Sequence, residues 1–157
     1  MERIISTVGE KYAEAALDLV EKAFTDYKDA EEGRLVRRLV EEIRSKKYYL
    51  PELELVMVNE LDEVIGYCMF SRFHIEGRYE DELLMLTPVA VKTELQRRHI
   101  SKELLECGLQ KAREYGYAAV LVEGNPANYR ARGFSTSADY GIVASERVHL
   151  PRAECLM

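Results

Sequence analysis

The 157-residue chain predicts one α+β domain built on a mostly antiparallel sheet flanked by helices, and three features of its order predict it. Two amphipathic helical stretches come first, strand-like segments separated by turn residues occupy 53 to 91, and a strand–helix–strand passage runs from 81 to 124. The length suits a single domain with its own core, and 47% hydrophobic with 32% charged residues is ordinary for a globular chain.

Residues 10 to 27 place Ala13, Ala16, Leu17, Val20, Phe24 and Tyr27 on one helical face. A second helix is expected from Glu32 to Lys46, where Leu35, Val36, Leu39, Val40 and Ile43 recur at helical spacing. Pro51 follows once the chain has left that helix. The pattern then changes. "LELVMV" (53–58), a turn at Asn59 to Asp62 and "EVIGYCMF" (63–70) read as an antiparallel hairpin, with "SRFHI" (71–75) continuing past a bend. Gly77 marks a turn, and "DELLMLTPVAV" (81–91) is a third long strand.

Pro88 inside that strand cannot donate to a ladder, and its neighbours are too apolar for an exposed edge. A bulge is expected there, leaving backbone groups of Val89 to Val91 without a neighbour strand. From Ser101 to Tyr115 helical spacing returns, with Leu104, Leu105, Gly108, Leu109 and Ala112 inward and Ser101 as the expected N-cap. "YAAVLVEG" (117–124) is a buried strand. Asn125-Pro126 opens a short helix that Gly133 ends, and a weaker strand is expected around "YGIVAS".

Several function classes fall away. Cys68, Cys107 and Cys155 are odd in number and far apart, and His74, His99 and His149 are scattered, so no metal site is expected. No apolar run approaches the roughly 18 residues of a membrane span, and the start lacks signal-peptide order, which makes the cytoplasm the expected location. A net charge of −6 argues against a general nucleic-acid binder. The same charge is unevenly spread. Lys92, Arg97, Arg98 and Lys102 against Glu94 give the segment 92–102 a local +3 on an acidic body, which focuses field on a small anion.

The passage "LTPVAVKTELQRRHISKELLECGL" (86–109) followed by "LVEGNPANYRARGF" (121–134) resembles the GNAT superfamily of N-acetyltransferases over nearly the whole chain. It looks closest to small bacterial members in which Gly-Asp-Pro-x-Tyr-Tyr-x-x-x-Gly-Phe follows the fifth strand. Here that stretch runs from Gly124 to Phe134, with Asn125 in place of Asp. The family's cofactor loop, Gln/Arg-x-x-Gly-x-Gly/Ala, is matched by Gln96, Arg97, Arg98, His99, Ile100 and Ser101, so His99 stands at the first glycine. The resemblance implies the GNAT fold, with acetyl-CoA as cosubstrate and no metal. Its pyrophosphate would lie on the backbone N–H groups of that loop at a helix N-terminus, beside Arg97, Arg98 and Lys102. Its pantetheine arm would pair with the backbone of Val89, Ala90 and Val91 beside the bulge.

If His99 must adopt a positive φ, a side chain there costs roughly 1 kcal/mol or more; its ring either crowds the phosphates or donates to them. Tyr129 matches the family tyrosine that protonates the departing CoA thiolate, the competing role being core packing. Asn125 either orients the cofactor or caps the short helix. Glu82 and Glu123 are base candidates that serve equally as solvated strand ends, and Cys107 reads as packing. The implied reaction moves an acetyl group to a primary amine of a small molecule or a protein. The alternative is a non-catalytic acyl-CoA-binding or regulatory module on the same fold. The chain ends near where relatives carry a last strand, so that strand is either abbreviated or supplied by a partner in a homodimer.

Overall fold

Runs of β-branched and aliphatic residues alternate with the two helical periodicities to give ten regular elements in the computed structural model, which describes residues 2–75, 78–123, 129–131, 133–136 and 154–156. They are β1 (Arg3–Thr7), α1 (Ala13–Tyr27), α2 (Ala30–Arg44), β2 (Glu54–Asn59), β3 (Val64–Ile75), β4 (Arg78–Val91), α3 (Ile100–Glu114), β5 (Ala119–Glu123), β6 (Ser135–Thr136) and β7 (Glu154–Leu156). Among the described residues the strands form one seven-stranded sheet in the order β1-β2-β3-β4-β5-β7-β6. Only β4 and β5 pair in parallel, joined by α3, which is the crossover the sequence predicts.

The sheet has a helix layer on each face. Leu55 and Met57 of β2, Cys68 and Phe70 of β3, and Leu84 and Leu86 of β4 face α3 and meet Ile100, Leu104, Leu105, Leu109 and Ala112. Val56 and Val58 of β2 and Tyr67 and Met69 of β3 face the other way, onto Ala16, Leu17 and Val20 of α1 and Val36, Val40 and Ile43 of α2. Both faces of β2 and β3 are therefore covered along residues 54–58 and 65–71, which are buried.

β1 corrects the sequence reading, which passed over "RIIST" because a five-residue run at a chain start gives little periodicity. Tyr27, Leu35 and Leu39 are corrections too: all three are exposed. α2 packs on α1 through a narrow stripe of Gly33, Val36, Val40 and Ile43, so Leu35 and Leu39 fall outside it. α2 begins at Ala30 rather than Glu32, because the Asp29 carboxylate accepts from the Glu32 N–H at 2.8 Å and caps the helix there. The last strand lies within this chain: β7 is three residues long and sits between β5 and β6. The segment around "YGIVAS" and Gly77 lie outside the described residues.

One charge is buried in this framework. The Glu54 side chain is 1% exposed, and its carboxylate accepts from Arg44 Nε at 2.7 Å, from the Tyr67 hydroxyl at 2.7 Å and from the Tyr49 hydroxyl. Arg44 also donates to the carbonyl of Ala13, so the cluster joins the end of α2, the start of α1, and strands β2 and β3. Burial first, and Glu54 next, push both phenols well above their ordinary range.

Candidate functional site

The site is organised by what β4 does at Pro88. Leu86 pairs with Phe70 and Val89 pairs with Cys68, so Thr87 and Pro88 together oppose the single residue Met69. That is the bulge the proline predicts, with a cis Thr87–Pro88 peptide. It shifts the pleat: the side chains facing α3 step from Leu84 and Leu86 to Val89 and Val91.

On its other side β4 pairs with β5 only from Leu83–Ala119 to Leu86–Val122. Beyond Leu86 the two strands part, and among the described residues no strand borders Val89 to Val91 on that side. The Lys92 N–H is directed back to Ile65 of β3 at 2.9 Å. Alternation along an extended strand then turns the backbone groups of Val91 and Val89 toward the open side and those of Ala90 toward β3. The gap presents a short row of peptide groups.

The row leads straight into the cationic loop. A 3-10 turn, Thr93–Leu95, follows β4 and is tied to α1 by the Thr93 hydroxyl, which donates to Asp26 at 2.7 Å. Gln96, Arg97, Arg98 and His99 are exposed, and α3 begins at Ile100. Ile100 is buried, and it closes onto Gly66 of β3, where a Cβ would stand 2.7 Å from Ile100 Cγ2 and 2.8 Å from Leu104 Cδ1. A side chain at Gly66 would lift the start of α3 off the sheet.

The N-cap is His99, not Ser101. His99 has φ 63 and ψ 16, and no side chain caps the helix; Ser101 lies one residue inside the first turn, half-buried. The loop therefore keeps the left-handed geometry that a glycine would favour, with a histidine in it. Arg97 is left-handed as well, at φ 66. A helix start leaves its first N–H groups without acceptors in the helix, and the macrodipole favours an anion there. Arg97, Arg98 and Lys102 are exposed, and among the described residues none of them forms an ion pair, whereas Lys92 is engaged by Glu63 and Glu94 at 3.6 and 3.8 Å.

Relief of that backbone geometry is measurable. His99→Gly is expected to stabilise the fold by about 0.5–1 kcal/mol, which raises the melting temperature by a few degrees, with CoA affinity at least as tight as wild type. A melting temperature unchanged or lowered would show that the left-handed cap costs nothing. A loss of CoA affinity would instead assign the ring a phosphate contact.

Tyr129 and Arg130 are helical, and the turn ends at Gly133, φ 92. The Phe134 N–H returns to the Tyr129 carbonyl at 3.0 Å and the Gly133 N–H to Arg130 at 3.1 Å, the paired bonds of a glycine-terminated helix. Tyr129 is half-buried, packs on the same core face as Val89 and Val91, and meets Phe134 edge-on at 5.7 Å. Between α3 and this turn runs a groove lined by Lys102, Leu105, Glu106, Leu109 and Ala131.

The remaining candidates separate. Glu82 is exposed and lies well before the bulge, as a solvated strand residue does. Glu123 ends β5, one residue past the last β4–β5 pair, at the mouth of the gap. Cys107 packs on the core. Asn125 and His149 lie outside the described residues. Sequence reasoning missed Arg3 of β1, whose guanidinium donates to the carbonyl of Arg98 at 3.1 Å and pairs with Glu103 at 2.8 Å. Nothing in the local sequence signals a contact made 95 residues away.

Residues 13–138 match the family model described as Acetyltransferase (GNAT) family. A curated relative from Escherichia coli strain K12, Uncharacterized N-acetyltransferase YhbS, is 32% identical over 106 residues; the match covers 67% of this chain and 61% of the relative's length. A crystal structure of GNAT family N-acetyltransferase YhbS from Escherichia coli, in complex with CoA, aligns with a TM-score of 0.85 over 99% of this chain and 81% of that one. Its sequence identity is 24%, and the likeness is one of fold. A GNAT family acetyltransferase from Brucella melitensis, in complex with acetyl-CoA, aligns at 27% identity with a TM-score of 0.74, covering 85% of this chain and 83% of that one.

Proposed function

The chain belongs to the GNAT acetyltransferase family, and from that premise we propose that it moves an acetyl group from acetyl-CoA directly to a primary amine. The observation that carries the reading is the continuity of the site: one strand, β4, supplies the open backbone row at Val89 and Val91 and then the cationic loop at the start of α3.

The residues fit the donor in three places. Pantetheine amides take the place of a missing strand against the backbone of Val89 and Val91; Ala90, expected from the sequence to join them, has its own groups turned to β3 and only spaces the two. The pyrophosphate rests at Gln96, Arg97, Arg98, His99, Ile100, Ser101 and Lys102, where backbone N–H groups and unpaired cations converge. The groove between α3 and the Tyr129 turn leaves room for the rest of the carrier. In the transfer the amine nitrogen attacks the thioester carbonyl, a C–N bond forms, and the C–S bond breaks. A backbone N–H beside the bulge holds the carbonyl oxygen as it gains charge. Tyr129 gives its proton to the departing thiolate, and the proton that the amine loses passes to solvent, with no side chain assigned as its base. Holding both reactants in line supplies much of the rate, so few side chains are needed.

The acceptor is an amine of a small molecule or a protein, and the acidic body favours its cationic form at encounter without identifying it. The acidic net charge and a loop without aromatic residues speak against a nucleic-acid partner. Among the described residues no helix is long and apolar enough to cross a membrane.

Titration calorimetry with CoA tests the reading. Affinity is expected to fall as salt rises, because exposed charge contacts are screened, and Arg97→Ala and Arg98→Ala are each expected to weaken binding and flatten that dependence. No heat at millimolar CoA and low salt would end the proposal. Binding without thiol release on a broad panel of amines, including protein amines, would favour the acyl-CoA-binding module.

A further inference from the structure

We propose that Arg3 is a positioning residue for the pyrophosphate loop: from the edge strand β1 it fixes the peptide plane between Arg98 and His99 without touching the donor. The inference rests on the acetyl-CoA reading above and says how this chain holds its loop where a glycine is missing.

Two left-handed residues that are not glycine, Arg97 and His99, flank Arg98. Such conformations persist only where the surroundings over-determine them. Arg3 provides that constraint. Its Nη1 donates to the Arg98 carbonyl at 3.1 Å and its Nη2 to Glu103 Oε1 at 2.8 Å. Glu103 belongs to the first turn of α3, and its own N–H donates to the His99 carbonyl at 3.0 Å. One planar fork therefore grips the chain on both sides of the left-handed cap. The Arg3 side chain is 22% exposed; its bond to Glu103 is partly buried, and its bond to the Arg98 carbonyl lies at the surface.

The consequence for binding follows from peptide geometry. In a planar trans peptide the carbonyl and the N–H point in opposite directions. With the Arg98 carbonyl held by Arg3 on the β1 side, the His99 N–H is turned away from β1. Arg3 thus aims a phosphate donor from behind. Its charge is matched by Glu103, so it adds little net charge to the loop.

That last point separates positioning from direct contact. CoA titrations over a series of salt concentrations, on wild type, Arg3→Ala, Arg3→Lys and Arg98→Ala, give both an affinity and a salt slope. Arg3→Ala is expected to weaken CoA about tenfold, the scale of a lost charged hydrogen bond; the slope is read in the Arg3→Ala/Glu103→Gln pair, where the matched charges leave together, and is expected to be unchanged there. Arg3→Lys is expected to recover part of the loss, since an ammonium reaches one acceptor but lacks the fork. Arg98→Ala is expected to lower the slope. Wild-type affinity in Arg3→Ala overturns the proposal. A lower slope in the Arg3→Ala/Glu103→Gln pair also overturns it, by placing Arg3 on a phosphate. Should Arg3→Ala not fold, Glu103→Gln takes its place with an expected loss of about threefold, and an affinity equal to wild type there counts against the proposal. Wild type failing to bind CoA would remove the acetyl-CoA reading itself, and that result appears before any substitution is made.

Discussion

Glu54→Ala is expected to destabilise the fold by about 3 kcal/mol, because it leaves Arg44 and two phenols without the acceptor they were folded around. Arg44 keeps 17% of its side chain exposed, which lowers the loss from that of a fully enclosed pair. The Tyr67 hydroxyl is buried and has no access to water as a substitute. For a chain of this length the melting temperature should fall by roughly 6–12 °C. Glu54→Gln keeps the shape and one acceptor, so its loss should be smaller. Denaturant unfolding monitored by circular dichroism measures both, and a Glu54→Ala variant within 1 kcal/mol of wild type, on the same scale of about 3, would refute the cluster's role. CoA affinity should stay near wild type, since Glu54 faces α1 and α2 rather than α3.

The same cluster gives a pH dependence with a defined sign. Tyr49 and Tyr67 hold their protons more tightly in the fold than in the unfolded chain. Their contribution is present below the ordinary phenol pKa of about 10 and is lost as pH rises above it, because only the unfolded chain ionises freely there. Stability should therefore drop on the alkaline side, and less so in Tyr49→Phe.

Glu54 also marks where sequence reasoning stops. The hairpin was readable from two strand-like runs either side of a turn, and the residues of both faces, Leu53, Leu55 and Met57 and then Val56 and Val58, are apolar. A strand covered on both faces places Glu54 inside, so the signal was present. Its partners were not legible: Arg44 ends α2, Tyr49 lies in the connection after it and Tyr67 is on β3, and only the packed fold brings them together. The bulge behaved differently. Proline in an apolar strand is a local constraint, so Pro88 marks the bulge in the sequence alone. His99 lay between the two cases. The missing glycine was visible, whereas the left-handed cap and the arginine that braces it from β1 needed the tertiary structure.

Tyr129→Phe is expected to keep acetyl-CoA binding within about twofold of wild type while kcat falls roughly 100-fold, the usual scale for a lost general acid. The ring is half-buried on the core face shared with Val89 and Val91 and meets Phe134 edge-on, and phenylalanine preserves both contacts. The backbone is held independently of the hydroxyl, by the Phe134 and Gly133 bonds that close the turn. Only the phenolic hydroxyl is removed, and the acidic proton with it. If that proton goes to the thiolate as the C–S bond breaks, its loss raises the barrier of the chemical step and spares the ground state, so kcat and kcat/KM fall together while KM stays put. A tyrosine that serves packing alone gives the opposite record: unchanged turnover and a stability loss near 1 kcal/mol from a missing hydrogen bond. Free thiol release across a panel of amines, with spontaneous hydrolysis subtracted, reads the rate, and calorimetry reads the binding. Equal turnover by wild type and Tyr129→Phe on a good acceptor would remove the tyrosine from the mechanism. The transfer would then rest on the oriented backbone of β4 and the loop alone, with the thiolate leaving unprotonated.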